Sequence, residues 1–189
     1  LLDAGVKTNI HYVLGNNSIE EAIMRLKNNG FPAGINAVIF LLHKPVGLGS
    51  EENVLQMDNP LVRQFFEIVD MQKFNFKIGF DSCSIPAVLN LTHNIDHDSI
   101  DTCEGGRWSM YITSDMKALP CSFDNQELRW AFDISNSSIE EAWNSPQFER
   151  FRSHFRNSCP NCQCQHACMG GCPICPQVVL CDRAEKELY

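Results

Sequence analysis

No apolar run in this sequence is long enough to span a membrane, and the best candidate, Ile35 to Leu42, is only the length of a strand. Positive charge is short as well. Fifteen Lys and Arg stand against 23 Asp and Glu, and the net charge of −8 leaves no electrostatic footprint for nucleic acid. No secretory leader is recognisable, so the expectation is a soluble chain in a reducing, cytoplasmic compartment, with neither membrane nor nucleic acid among its partners. On that expectation the Asn-x-Ser/Thr triplets at Asn16, Asn90 and Asn136 read as chance matches. The Gly-rich stretch Lys44 to Ser50 lacks the Gly-Lys-Ser/Thr ending that would set a lysine on a phosphate, and it reads as a connecting loop.

Cysteine, in contrast, is abundant. Seven of the ten lie between Cys159 and Cys181, in the run CPNCQCQHACMGGCPICPQVVLC. Cys159-x2-Cys162-x5-Cys168-x3-Cys172 forms a regular array, with Cys164, Cys175 and Cys181 around it. Thiolates two or three residues apart can turn onto one centre. Gly170-Gly171 supplies permissive backbone for such a turn, and Pro160, Pro173 and Pro176 remove amide donors. The expectation is a loop ordered by metal and not a buried helix or strand. Iron–sulfur ligation and structural zinc both suit the spacing. A disulfide framework suits it least, because the chain is long enough to bury a core.

The first segment, residues 1–92, reads as alternating strands and helices. Leu1 to Gly5 resembles the last turn of a helix capped by Gly5, which suggests a fragment of a longer protein. Val6 to Leu14 reads as a strand, in which His11 is a satisfied sheet residue. Ser18 and Glu21 form the pattern of a capping box, and Ile19, Ala22, Ile23 and Leu26 give the apolar stripe of a helix running to Asn28-Asn29-Gly30. Ile35 to Leu42 suits a strand covered on both faces. Asn59-Pro60 opens a second helix through about Gln72, and Phe74 to Phe80 is a third strand. Helical crossovers between three strands imply an α/β fold with a parallel sheet, whose ligand sites gather at the strands' carboxyl ends. Cys83 lies just past the third strand, as a site residue or as a buried thiol.

Residues 93–189 change in composition. Trp108 to Thr113 and Lys117 to Phe123 read as a hairpin with Cys103 at one end and Cys121 at the other. Ser138 and Glu141 cap a short helix through Trp143, and Pro146 begins another. Trp143, Phe148, Phe151 and Phe155 read as core aromatics that dock the cysteine module.

The Pro-Cys at Cys121, the Glu-Glu-Ala-Trp-Asn-Ser helix, the Cys-x2-Cys-x5-Cys-x3-Cys array with Gly-Gly-Cys-Pro and a final cysteine resemble, over about residues 100 to 181, the SPASM domain of radical S-adenosylmethionine enzymes. The strand–helix repeats before it are similar to the later half of those enzymes' partial (β/α)6 barrel. The resemblance implies two auxiliary 4Fe-4S clusters. Cys103, Cys121 and Cys172 would hold the first, and Cys159, Cys162, Cys168 and Cys181 the second. Cys83 is the upstream candidate for the fourth ligand of the first cluster, unless one iron stays open to bind substrate, and Cys175 competes with Cys181 for the last place. Where the family has glycine five residues before the Pro-Cys ligand, this chain has Met116 in its place.

The family's defining Cys-x3-Cys-x2-Cys loop holds a third cluster that binds S-adenosylmethionine and cleaves it to a 5′-deoxyadenosyl radical. Cys168-x3-Cys172-x2-Cys175 has that spacing but lies inside the auxiliary array and follows no barrel strand, so it reads as a coincidence. The expectation is therefore the C-terminal part of an enzyme that modifies a ribosomally made peptide or protein and takes electrons from a donor protein. The part alone would be inactive. Sulfatase maturation fits less well, because those relatives place Asp directly after the Pro-Cys ligand, where this chain has Ser122. A zinc-binding interaction module and an iron–sulfur electron-transfer protein remain the alternatives.

Overall fold

A computed structural model describes residues 1–96, 100–125, 127–157, 159 and 161–182. Pro160, one of the prolines invoked above, lies outside the described residues. The chain forms two compact units, Leu1–Ile100 with Gln177–Tyr189, and Asp101–Pro176.

The first unit alternates strand and helix as β1 (Asn9–Leu14), α1 (Ile19–Lys27), β2 (Ala37–Leu42), α2 (Pro60–Met71), β3 (Lys77–Phe80) and α3 (Ile85–Leu91). The strands make a parallel three-stranded sheet in the order β1-β2-β3, with Tyr12 beside Phe40 and Phe40 beside Phe80. Crossover helices impose this parallel pairing, because a helix between two strands carries the chain back to the sheet's starting edge. Val38, Phe40 and Leu42 point into a core shared with Ile19, Ile23 and Leu26 of α1 and Val62, Phe65 and Phe66 of α2. Phe40 packs edge-on against Phe65, with ring centroids 4.9 Å apart.

Several local expectations change. β1 begins at Asn9 and not at Val6. β2 is well covered on one face, whereas Ile39 and Leu41 on the other are half-buried, because α1 and α2 both pack on the face of Phe40. His11 stands exposed on β1. The capping box at Ser18 does not form. The Ser18 hydroxyl instead donates to Val13 O at 2.7 Å and accepts from Gly15 N at 3.0 Å. Glu21 is drawn away by Arg25 at 2.8 Å and by the Tyr12 hydroxyl at 3.2 Å. Burial, and then that carboxylate, push the Tyr12 phenol up to about 12.

Leu2–Ala4 is a single 3-10 turn closed by Gly5 at φ 71°. At the carboxyl edge of the sheet, Lys44 Nζ donates to Asp81 Oδ2 at 2.6 Å and to Leu42 O at 2.9 Å. This nearly buried ion pair joins the segments leaving β2 and β3. Asp81 also accepts from the Ser84 amide and hydroxyl, which fixes the 3-10 turn Ser82–Ser84 that carries Cys83. Among the described residues no helix is long and apolar enough to cross a membrane.

The second unit contains an antiparallel sheet of β4 (Tyr111–Ile112), β5 (Lys117–Leu119) and β6 (Phe132–Asp133), in that order. The hairpin of β4 and β5 is shorter than its sequence suggested and gains β6 as a third strand. Helices α4 (Ile139–Trp143), α5 (Pro146–Asn157) and α6 (Gln165–Cys168) follow. Here the capping box does form: Ser138 Oγ accepts from Glu141 N at 3.1 Å, and Glu141 Oε2 accepts from Ser138 N at 2.6 Å. Phe148, Phe151 and Phe155 of α5 are buried, and Trp143 is half-buried.

Met116 takes the left-handed conformation, φ 62°, which glycine adopts more readily than any residue with a side chain. The Thr113 side chain and main chain brace it by bonding Lys117 N at 3.0 Å and Met116 N at 3.2 Å. A side chain held at positive φ costs about 1–2 kcal/mol, and glycine returns part of that through its looser unfolded state. Met116→Gly is therefore expected to leave the urea midpoint of this unit unchanged or to raise its stability by up to about 1 kcal/mol. A clear loss would show that the methionine side chain packs in a way its exposure does not suggest.

Candidate metal centre

Cys103 opens a tight turn. Glu104 O accepts from the amides of Arg107, Trp108 and Ser109 at 3.0, 2.9 and 3.2 Å, and the turn carries Gly105-Gly106 across its top. Gly106 sits at φ 61°. A Cβ on Gly105 would lie 3.0 Å from Pro120 O and 3.5 Å from both Cys103 Sγ and Cys121 Cβ. A Cβ on Gly106 would lie 2.9 Å from the Phe151 ring and 3.0 Å from Pro120 Cβ. The two glycines are what allow the Cys103 turn to lie directly on Pro120-Cys121 at the end of β5. Arg152 of α5 secures the turn by donating to Gly106 O at 2.9 Å and to Trp143 O at 2.7 Å.

Cys172 follows α6 in the chain. Met169, Gly170 and Gly171 have φ of 59°, 81° and 82°, three successive left-handed residues that turn the chain sharply after α6. Burial pushes the Cys103 thiol up, the Gly105 amide opposes this, and the neighbouring Cys172 and Cys121 push it further up. Cys103 and Cys121 thus lie on either side of Gly105, and Cys172 is near enough to act on the Cys103 thiol. Cys175, 2% exposed, donates its amide to Cys172 Sγ at 3.3 Å. His154 of α5 stands near Cys172: burial lowers its pKa and the Cys172 thiol partly restores it.

The remaining array is a chain of turns. Cys162 N donates to Cys159 O at 3.0 Å, Gln165 N to Cys162 O at 3.1 Å and Cys168 N to Cys164 O at 2.8 Å. The cysteine run therefore includes one α-helical turn, α6, in which Cys164 and Cys168 close an ordinary i to i+4 bond and none of whose residues is buried. Cys83 and Cys181 belong to the first unit, and Leu180 beside Cys181 is buried in that unit's core. All ten cysteines fall among the described residues as thiols without disulfide bonds. Among the described residues no three His, Cys, Asp or Glu side chains gather closely enough for a single ion.

The donor set fits an iron–sulfur group: it is all sulfur, half-buried or deeper, and backed by main-chain amides that can point at sulfur. An indole N–H adds to the fit, since Trp130 Nε1 is buried without a hydrogen-bond partner among the described residues.

Sequence reasoning passed over the residue that organises this wall. Asp124 is 2% exposed. Its amide donates to Cys121 O at 3.1 Å, and its carboxylate accepts from the amides of Arg129 and Trp130 at 3.1 and 2.8 Å. Burial raises its pKa, and those two amides oppose the rise. The only signal in the sequence is an Asp-Asn pair shortly after a cysteine, which reads equally well as an exposed turn. Asp124→Ala should leave two amides without an acceptor and cost about 2 kcal/mol. Asp124→Asn keeps one acceptor and should cost about half as much in the same urea titration.

No curated protein and no solved structure matches the chain. Residues 103–169, from the first thiol of this neighbourhood to the residue after α6, match the family model for SPASM, an iron-sulfur cluster-binding domain, so the second unit is similar to that family in the stretch that carries Cys103, Cys121, Cys159, Cys162 and Cys168.

Proposed function

We propose that this chain is the C-terminal portion of a radical S-adenosylmethionine enzyme with a SPASM domain, acting on a ribosomally made peptide or protein side chain. The observation that carries the reading is that Cys103 and Cys121 come together across Gly105, with Cys172 near enough to act on the Cys103 thiol, in a unit that matches the iron–sulfur family model over residues 103–169.

In this reading Cys103, Cys121 and Cys172 hold one 4Fe-4S cluster, with Cys83 as the fourth ligand or one iron open. Cys159, Cys162 and Cys168 hold another, closed by Cys181 or Cys175. When bound, such clusters supply electron transfer or a site for substrate. The chain's own residues set their surroundings: Gly105 and Gly106 allow the close approach, the Cys175 amide donates to Cys172 Sγ, and Phe151 and Phe155 exclude water beneath.

The parallel sheet of residues 1–92 is, on the same reading, part of a partial (β/α)6 barrel, and residues 93–189 form the auxiliary module. The reading requires a Cys-x3-Cys-x2-Cys loop with its own cluster and S-adenosylmethionine elsewhere in the full-length protein, a peptide substrate and an electron-donor protein, in the cytoplasm. The 189 residues alone should show no S-adenosylmethionine cleavage.

Anaerobic reconstitution with iron and sulfide tests the occupant. The expected result is about eight irons per chain with equal sulfide. One or two zinc ions with no sulfide would contradict it and favour a zinc-binding interaction module.

A further inference from the structure

Of the two buried donors without a partner among the described residues, Asn90 Nδ2 and Trp130 Nε1, the second lies in the unit that carries Cys103 and Cys121. Trp130 is held from three sides. Its amide is bound by Asp124 at 2.8 Å, its ring stands edge-on to Phe151 with centroids 5.6 Å apart, and the Arg129 guanidinium lies 5.3 Å from the ring centroid. Despite this anchoring its Nε1–H is buried with no acceptor among the described residues. A buried donor left unmade costs about 1–3 kcal/mol, so an indole fixed so firmly in that state calls for an acceptor that the described residues do not provide.

Two independent contacts say where that acceptor belongs. Phe151, against which the indole rests, is the nearest neighbour of Gly106, and Gly105 next to it abuts Cys103 Sγ and Cys121 Cβ. Asp124, which holds the Trp130 amide, is hydrogen-bonded through its own amide to Cys121 O. The indole therefore hangs on the same wall as the first thiol set, tied to it once through Phe151 and once through Asp124.

Resting on the cluster reading above, we infer that Trp130 Nε1–H donates a hydrogen bond to a sulfur of the iron–sulfur group held by Cys103, Cys121 and Cys172, and so acts as a positioning residue that sets its reduction potential. Reduction adds negative charge to the cluster sulfurs, and a fixed N–H dipole stabilises that charge. The donor raises the potential. The carboxylate of Asp124 would contribute indirectly, by fixing the main chain from which the indole projects.

The test uses the full chain, reconstituted anaerobically, with potentials read by titration followed by electron paramagnetic resonance. Two variants are compared with the parent: Trp130→Phe, and the chain with benzothienylalanine at position 130, which keeps the bicyclic shape and replaces N–H by sulfur. The expected result is that one midpoint potential moves to more negative values in both variants while the second stays, with iron and sulfide at parental levels. If the phenylalanine variant loses iron, the isosteric variant decides. Unchanged potentials in an isosteric variant with full iron content would overturn the inference and leave the cluster reading standing. A parent chain that takes up no iron would overturn the cluster reading, and this inference with it.

Discussion

The close approach of two main chains at Gly105 and Gly106 is the constraint on which the second unit depends. Any side chain at these positions would collide with Pro120 or Phe151 within about 3 Å. With glycine there, Cys103 and Cys121 meet, Arg152 reaches Gly106 O from α5, and the aromatic row of α5 closes beneath them. A second glycine pair, Gly170-Gly171, does the same for Cys172 by supplying left-handed backbone. Both pairs serve to deliver thiols from separate stretches to one place. The consequence is electrostatic as well as steric. Cys103 is drawn into a setting that disfavours its thiolate, with Cys172 and Cys121 adding to the effect, and a cationic iron centre bound there would offset that cost.

Much of the first unit was legible because its signals are local. Ile35 to Leu42 reads as a strand from its own residues, and the stripe Ile19, Ala22, Ile23 and Leu26 reads as a helix from its own spacing. The two capping boxes show where local reasoning stops. Ser138 and Glu141 find each other because nothing competes for them, whereas at Ser18 and Glu21 the tertiary partners Val13, Gly15, Tyr12 and Arg25 take the same atoms. The lock between Lys44 and Asp81 was hidden for the same reason, since 37 residues separate its members.

In the second unit, cysteine spacing marked the ligand candidates, because few other chemistries need sulfur at such intervals. Their surroundings were not legible. Asp124, Trp130 and His154 are ordinary residues of a turn, a short loop and a helix, and they acquire meaning only when the glycine pair closes the wall around Cys121. β6 was missed because two residues, Phe132 and Asp133, are too few for an alternating pattern.

On the proposed function, Cys103, Cys121 and Cys172 would serve one centre, and Cys159, Cys162 and Cys168 another. Mössbauer spectroscopy of the Cys172→Ala chain, loaded anaerobically with 57Fe, tests this most directly. The account predicts that about half of the iron is lost and that the remainder keeps the spectrum of one intact 4Fe-4S cluster. Full retention of both clusters, or loss of all iron, would contradict it.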